Sequence, residues 1–564
     1  MGASMGPFWR KFRQKAFAVK TIDGTLEKAQ ESGEMRKTLG AVDLTMLGVG
    51  AIVGAGVFVL TGEAAGKFAG PSVILSYLIS SMAAILSAMS YVEFAVDMPV
   101  AGGAFNFINL VFGEFIAWQV GFTLILEYTL GASAVSKGFS GYLASLFGLE
   151  TDALTIDYTI FELDILAVSL VIFLSILLMF GSKESSTFNM IVTGINLTSI
   201  LLVLLAAFPN SKAKNFSPFF PNGSRGLFEA AGLVFFAYIG FDTLATASEE
   251  VKNPGKDLPI GIVGSLCICS VLYGLMAAAI SGLQRYDKID VNAPFSEAFA
   301  DIDLRWLGDI VSVGALTGIV TSVLVNLMGQ ARVYLILGRE RLLPPWIAEV
   351  NEKRSTPIRA TIVTGCFAGT IALLFDIDFL SRLVSVGTLF VLGMVSLGVL
   401  VRRYYKRGEG TSGKPMSFRL AILVISAMAE GLAFSMEWHI GIIVAFLVLW
   451  LGATISLCFL PTVFTPTIFS VPLKPFLPSL AILATVHLIF SLGWEAHMLF
   501  VLWQAIGVVV YLTYGLHHSQ SDLTEYHQGL ATEEGAKEAE ASDSSRLVSQ
   551  NAVSSDAVVV EEGE

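Results

Sequence analysis

Charge is scarce in this 564-residue chain. Asp, Glu, Lys and Arg make up 15% of it against 54% hydrophobic residues, and mean hydropathy is +0.70. Soluble domains carry about 25% charged residues, so a soluble enzyme is excluded and a polytopic membrane protein is indicated. Cysteine is scarcer still. Cys267, Cys269, Cys366 and Cys458 all fall in apolar runs with no His or Cys companion at ligand spacing. That argues against a disulfide framework or a zinc site and leaves them as packing residues. Nucleophile elbow, phosphate loop and metal cluster are also lacking, so we expect no enzyme, no cofactor, no metal and no nucleic-acid partner. No short apolar region with a cleavage site precedes the first long run, so no removed signal peptide is expected.

What the chain has instead is apolar length. Runs sufficient to span a bilayer recur fourteen times: 42–64, 71–96, 115–146, 164–181, 187–208, 226–250, 259–283, 306–337, 358–375, 379–401, 419–436, 439–460, 477–493 and 497–516. Basic residues mark the inner loops: Arg10, Lys11, Arg13 and Lys15 before the first run, Arg339, Arg341, Lys353 and Arg354 in 338–357, and Arg402, Arg403, Lys406, Arg407, Lys414 and Arg419 in 402–419. The bias predicts both termini in the cytoplasm. Sequons at Asn215 and Asn222 then fall in an outer loop, with Pro218 making the first a poor acceptor. From 527 onward nine acidic residues face only Lys537 and Arg546, which predicts an acidic disordered tail. Asp543 with Leu547–Val548 resembles an imperfect di-leucine signal for sorting machinery. The expected organisation is a cytoplasmic segment 1–41, a ten-helix core 42–402, a cytoplasmic loop 403–418, four extra helices 419–516 and the tail 517–564.

Two runs are interrupted. GVGAIVGAGVF, 48–58, has Gly48, Gly50, Gly54 and Gly56 at membrane depth. Glycine lowers helix propensity, and broken backbone survives there only when buried in protein or lining a cavity. Close helix packing explains the same glycines equally well. Five runs later Gly240 sits mid-run beside Phe235, Phe236, Tyr238 and Phe241, followed by Asp242. An intramembrane carboxylate costs about 3 kcal/mol and normally faces a cavity or a partner. Paired interruptions five runs apart fit an inverted five-plus-five repeat, a spacing that packing alone does not predict.

Specific motifs extend this reading. VGAIVGAGVFVLTG, YVEFAVDMPVAGGAFNFI (91–108), LILEYTLGASAV (124–135), GSKESSTFNMIVTGIN (181–196), FFAYIGFDTLATASEEVKNPGKDLPIGI and GQARVYLILGRERLLPPW (329–346) resemble the cationic amino acid transporters of the amino acid–polyamine–organocation superfamily. The resemblance implies an all-α, LeuT-like 5+5 inverted-repeat core with four additional C-terminal helices. It implies that backbone amides of Gly54, Ala55 and Gly56 hold a substrate α-carboxylate, as an exposed helix N-terminus can. By the same resemblance, carbonyls of Phe236, Ala237 and Ile239 accept the α-ammonium, and Phe236 is an aromatic lid. Glu127, then Asp242, are candidates for reading a cationic side chain; a structural partner to a helix-end backbone group or a buried Arg is the alternative for each. Glu430, outside the core, reads as packing, and Glu249 and Glu250 as inner-gate residues. Asn196 stands where some bacterial relatives place a coupling lysine, which puts obligatory proton coupling in doubt. Arg339–Glu340–Arg341 departs from the usual Arg-Asp-Gly.

The expected activity is alternating-access transport of amino acids, most of all Lys, Arg or ornithine, in a plasma or vacuolar/lysosomal membrane. Alternatives are a neutral or broad-range carrier of the same fold and an amino-acid-sensing receptor.

Overall fold

The computed structural model describes residues 7–19, 39–98, 103–151, 153–157, 162–180, 182–246, 248, 251–351, 356–405, 413–466 and 468–519. The sorting motif, most of the acidic tail, Glu249, Glu250, Lys406 and Arg407 lie outside these residues. An N-terminal helix α1 (Pro7–Ala16) precedes the first apolar run. That run is two helices, α2 (Ala41–Ile52) and α3 (Ala55–Glu63), and then come α4 (Val73–Asp97), α5 (Gly103–Phe112) and α6 (Glu114–Leu146). A small antiparallel pair, β1 (Ile156–Asp157) with β2 (Glu162–Leu163), leads to α7 (Ile165–Phe180) and α8 (Ser182–Asn210). The sixth run is α9 (Gly223–Val234), a 3₁₀ turn Phe235–Tyr238, and α10 (Phe241–Thr246). Next are α11 (Pro254–Leu283), α12 (Pro294–Ala300), α13 (Arg305–Arg339), α14 (Ile358–Leu374) and α15 (Ile377–Tyr404). The C-terminal set is α16 (Gly413–Ser435), α17 (Ile440–Leu457), α18 (Phe476–Ser491), α19 (Trp494–Val510) and α20 (Leu516–His518).

Among the described residues each of the fourteen apolar runs is mainly helical, with helix ends up to about six residues from the expected bounds. Nine helical runs among the described residues are long and apolar enough to cross a membrane, and five apolar helices are shorter. The difference from fourteen arises where the first and sixth runs are divided and where α7, α14 and α18 stop at 16 or 17 residues. α5 is an element the apolar count does not resolve, a ten-residue helix between the second and third runs.

The helices α2, α4, α6, α11, α13 and α15 share one large apolar core, while α16, α17 and α18 contribute to a second cluster around Leu420, Leu423 and Leu457. Small residues let the first bundle close. A Cβ on Gly48 would lie 2.6 Å from the Ser265 hydroxyl, and one on Gly261 2.6 Å from the Leu44 Cβ, so α2 and α11 approach closely through these two glycines. Packing is thus the role of Gly48.

Arginines sit at both ends of α15. At one end Arg382 pairs with Asp378 at 2.6 Å and with Glu229 of α9 at 2.8 Å. At the other, Arg402 pairs with Asp97 at 2.8 Å, and Arg403 pairs with Glu93 with both side chains buried. Arg402 and Arg403 therefore belong to the last helical turn of α15 and pair with carboxylates of α4, rather than being free loop charges. The sequon Asn215 is buried too, and its amide donates to the Gly282 carbonyl at 2.7 Å, so it is not presented for modification. Arg341 terminates α13 with a left-handed φ of 56°, while the Leu342 N–H donates to the Leu337 carbonyl at 2.9 Å. Glycine suits that position best.

Candidate functional site

Two helix interruptions face each other inside the bundle. α2 ends at Ile52, the chain extends through Val53 and Gly54, and α3 begins at Ala55 with no side-chain cap on its first amides. Those N–H groups have no helical partner of their own and carry the positive end of the helix dipole. Opposite them, the sixth run tightens into a 3₁₀ turn at Phe235–Tyr238 and breaks at Ile239 and Gly240, where Gly240 turns with φ of 123°. A Cβ on Gly240 would lie 2.7 Å from the Ala51 carbonyl oxygen, so only glycine fits both the dihedral and the approach. Gly56 closes the other side of the contact, its missing Cβ 2.6 Å from the Cα and Cβ of Ala237.

Between the interruptions lies a cavity of about 30 Å³. It has room for about one or two waters, so its walls are drawn together in this structure. Gly56, Phe236, Ala237 and Ile239, four of the eight residues expected at a substrate site, line it with Tyr128 and Asn326. Gly54 sits against α13, where a Cβ would clash with the Ser322 hydroxyl.

The carbonyls freed by the interruptions have designated donors. The Tyr273 hydroxyl on α11 lies 2.8 Å from the Ile52 carbonyl and 3.1 Å from that of Ala237, so one phenol bridges both interruptions. Asn196, buried on α8, donates its amide to the Val53 carbonyl at 3.2 Å. The Phe236 carbonyl accepts the Ile239 N–H at 3.1 Å. A carbonyl has two lone pairs, so Phe236 and Ala237, both lining the cavity, keep acceptor capacity. Tyr77, Tyr238 and Tyr273 pack behind this point at edge-to-face and tilted angles, with the Tyr238 hydroxyl donating to the Tyr77 carbonyl at 2.9 Å.

The two membrane carboxylates lie behind the wall rather than in it. Tyr128, whose ring lines the cavity, donates its hydroxyl to Asp242. Glu127, one residue earlier on α6, is buried beside Thr388 of α15 and within electrostatic reach of Asp242. Glu430 bonds the His487 ring nitrogen at 3.1 Å in the C-terminal set, and Phe228 of α9 packs edge-on to that ring at 4.5 Å. Tyr273 and Asn326 were not singled out from the sequence. A polar tip at bilayer depth is the signal that marks both, since it demands a partner.

Comparison with known proteins agrees with this architecture. The amino acid permease family profile matches residues 39–490, and a profile for the C-terminus of such permeases matches 469–519. The chain is 40% identical to cationic amino acid transporter 1 of Arabidopsis thaliana over 503 residues, covering 87% of this chain and 84% of that one. It is 38% identical to the chloroplastic cationic amino acid transporter 7 of the same plant, covering 90% and 91%. Against the branched-chain amino acid permease BcaP of Bacillus subtilis (strain 168) it is 34% identical over 89% and 98% of the two chains. The chain belongs to the amino acid permease family, within the amino acid–polyamine–organocation superfamily, and is a multi-pass membrane transporter of amino acids.

Proposed function

We propose that this carrier binds the amino acid's backbone at the two facing interruptions and moves it by alternating access. The observation that carries this reading is the meeting of the two breaks around one cavity, with Gly56 packed against Ala237. The α-carboxylate would take the first amides of α3, at Gly54, Ala55 and Gly56, where dipole and free N–H groups both favour an anion. The α-ammonium would take the carbonyls of Phe236, Ala237 and Ile239, with Phe236 covering it. The interruptions five runs apart support a LeuT-like 5+5 core, 42–402, followed by four appended helices in 419–516. Both termini then lie in the cytoplasm, in a plasma or vacuolar/lysosomal membrane, with the acidic tail free to meet sorting machinery. Asn196 supplies a neutral donor to the first break, which favours facilitated transport over obligatory proton coupling.

For the side chain, the reading is cationic: Lys, Arg or ornithine. Tyr128 connects the cavity wall to Asp242, and Glu127 adds a second carboxylate behind it. A neutral substrate is the second reading, and a specific observation favours it. The cavity wall contains Val135, Val325 and Ile239 but no carboxylate. Counterflow in reconstituted vesicles separates the two. Labelled lysine should exchange better than leucine, and Asp242→Asn should lower lysine exchange at least tenfold while sparing leucine. Equal loss of both, or preferred leucine exchange in the unmodified protein, would refute the cationic reading.

A further inference from the structure

We propose that α1 is an interfacial helix that binds anionic lipid headgroups at the membrane face carrying both termini. The inference is independent of how the substrate is bound.

One side of α1 is docked on the protein. Ala16 is buried, and Phe12 meets Phe115 at the start of α6 edge-on at 5.8 Å. Lys15 donates to the Ser519 carbonyl at 2.9 Å and hydroxyl at 3.1 Å, Lys11 reaches the His517 ring nitrogen at 3.3 Å, and the Glu114 N–H donates to the Ala18 carbonyl at 3.2 Å. Burial lowers the Lys15 ammonium pKa, an effect opposed by Glu114 and reinforced by Lys11. These two lysines are committed to the dock.

Beside the docked residues runs an exposed set, whose first member Trp9 packs edge-on to the docked Phe12 at 6.0 Å. Trp9 and Arg13 lie four residues apart on neighbouring positions of α1, and Phe17 follows in the turn just after its end. Trp9 is 60% exposed, Phe17 46%, and Arg13 is exposed between them. Two large aromatics flanking an arginine on an outward face are poorly matched to water. They match the headgroup layer, where amphipathic rings settle and basic groups meet lipid phosphates and carboxylates.

The position of α1 agrees. It is hooked to the end of α19–α20, and only 28% of that span's most apolar window is buried inside the protein. Val501, Leu502 and Val509 are each more than half exposed along it, so the span lies at the lipid-facing periphery. A helix fastened to its end sits on the rim of the molecule, level with headgroups. Because α1 holds the ends of both α6 and α19–α20, lipid engagement there would bear on two spans at once.

The test uses the full chain reconstituted in phosphatidylcholine vesicles containing either brominated phosphatidylcholine or brominated phosphatidylserine as the minor lipid. The contribution of Trp9 is the difference in tryptophan quenching between the unmodified protein and Trp9→Phe. The inference expects that contribution to be quenched at least twofold more by the brominated serine lipid, with Arg13→Gln abolishing the preference but not the quenching. Retained phosphatidylserine, counted by native mass spectrometry, should fall in parallel in Arg13→Gln. No quenching by either lipid, equal quenching by both, or a preference untouched by Arg13→Gln overturns it.

Discussion

Replacing Gly56 with alanine tests the contact that joins the two interruptions. The added Cβ would lie 2.6 Å from both the Cα and the Cβ of Ala237. Ordinary carbon contacts fall near 3.6 Å, so α3 and the unwound sixth run must separate by about 1 Å. No flexible side-chain end absorbs this, because the obstructing atoms are backbone and Cβ. Overpacking of this kind costs about 1–3 kcal/mol, which corresponds to roughly a 5- to 150-fold loss if it falls on the substrate-loaded form. The cavity beside the contact measures only about 30 Å³, so a shift of this size is large for it. Initial rates of labelled amino acid uptake into proteoliposomes at matched incorporation are the assay, with thermal unfolding in detergent as the fold control. Gly194→Ala is the companion variant. No heavy atom comes within 4 Å of its added Cβ, so uptake should stay unchanged. Uptake by Gly56→Ala within twofold of the unmodified protein would refute the reasoning.

Other variants probe the supports. Tyr273→Phe removes the donor shared by the Ile52 and Ala237 carbonyls; leaving buried acceptors unmet costs about 1–3 kcal/mol, and uptake should drop about tenfold or more with secondary structure intact by circular dichroism. Arg403→Ala strands Glu93 in a buried site, a loss of about 3–5 kcal/mol that should appear as a lowered Tm and poor folded yield. Arg403→Met combined with Glu93→Leu should recover most of the yield. Arg341→Gly relieves a left-handed φ at the end of α13 and should raise stability by about 1 kcal/mol, read as an increased Tm without change in uptake.

The interruptions were legible because glycine at membrane depth and a second break five runs later are both statements about backbone, and backbone breaks follow from local composition. The glycines nevertheless divide their labour in a way spacing does not reveal. Gly48 packs α2 onto α11, Gly56 abuts Ala237, and Gly240 takes a dihedral that side chains resist. Partners across helices were harder to read. Tyr273 serves carbonyls 221 and 36 residues away, and the Arg403–Glu93 pair spans 310 positions. Residues that distant in sequence are brought together only by the packing of whole helices. For the same reason the depth of Glu127 is legible, but its direction toward Thr388 rather than the cavity is not.

The central claim is that this carrier reads the substrate's backbone at the amides of α3 and not through its side chain alone. Competition against labelled lysine exchange in vesicles tests it most directly, using lysine, lysine methyl ester and cadaverine. The esters and diamines keep a cationic side chain but lack the free α-carboxylate. Lysine should compete fully, and either analogue little even at concentrations about a hundredfold higher. Equal competition by cadaverine would contradict it.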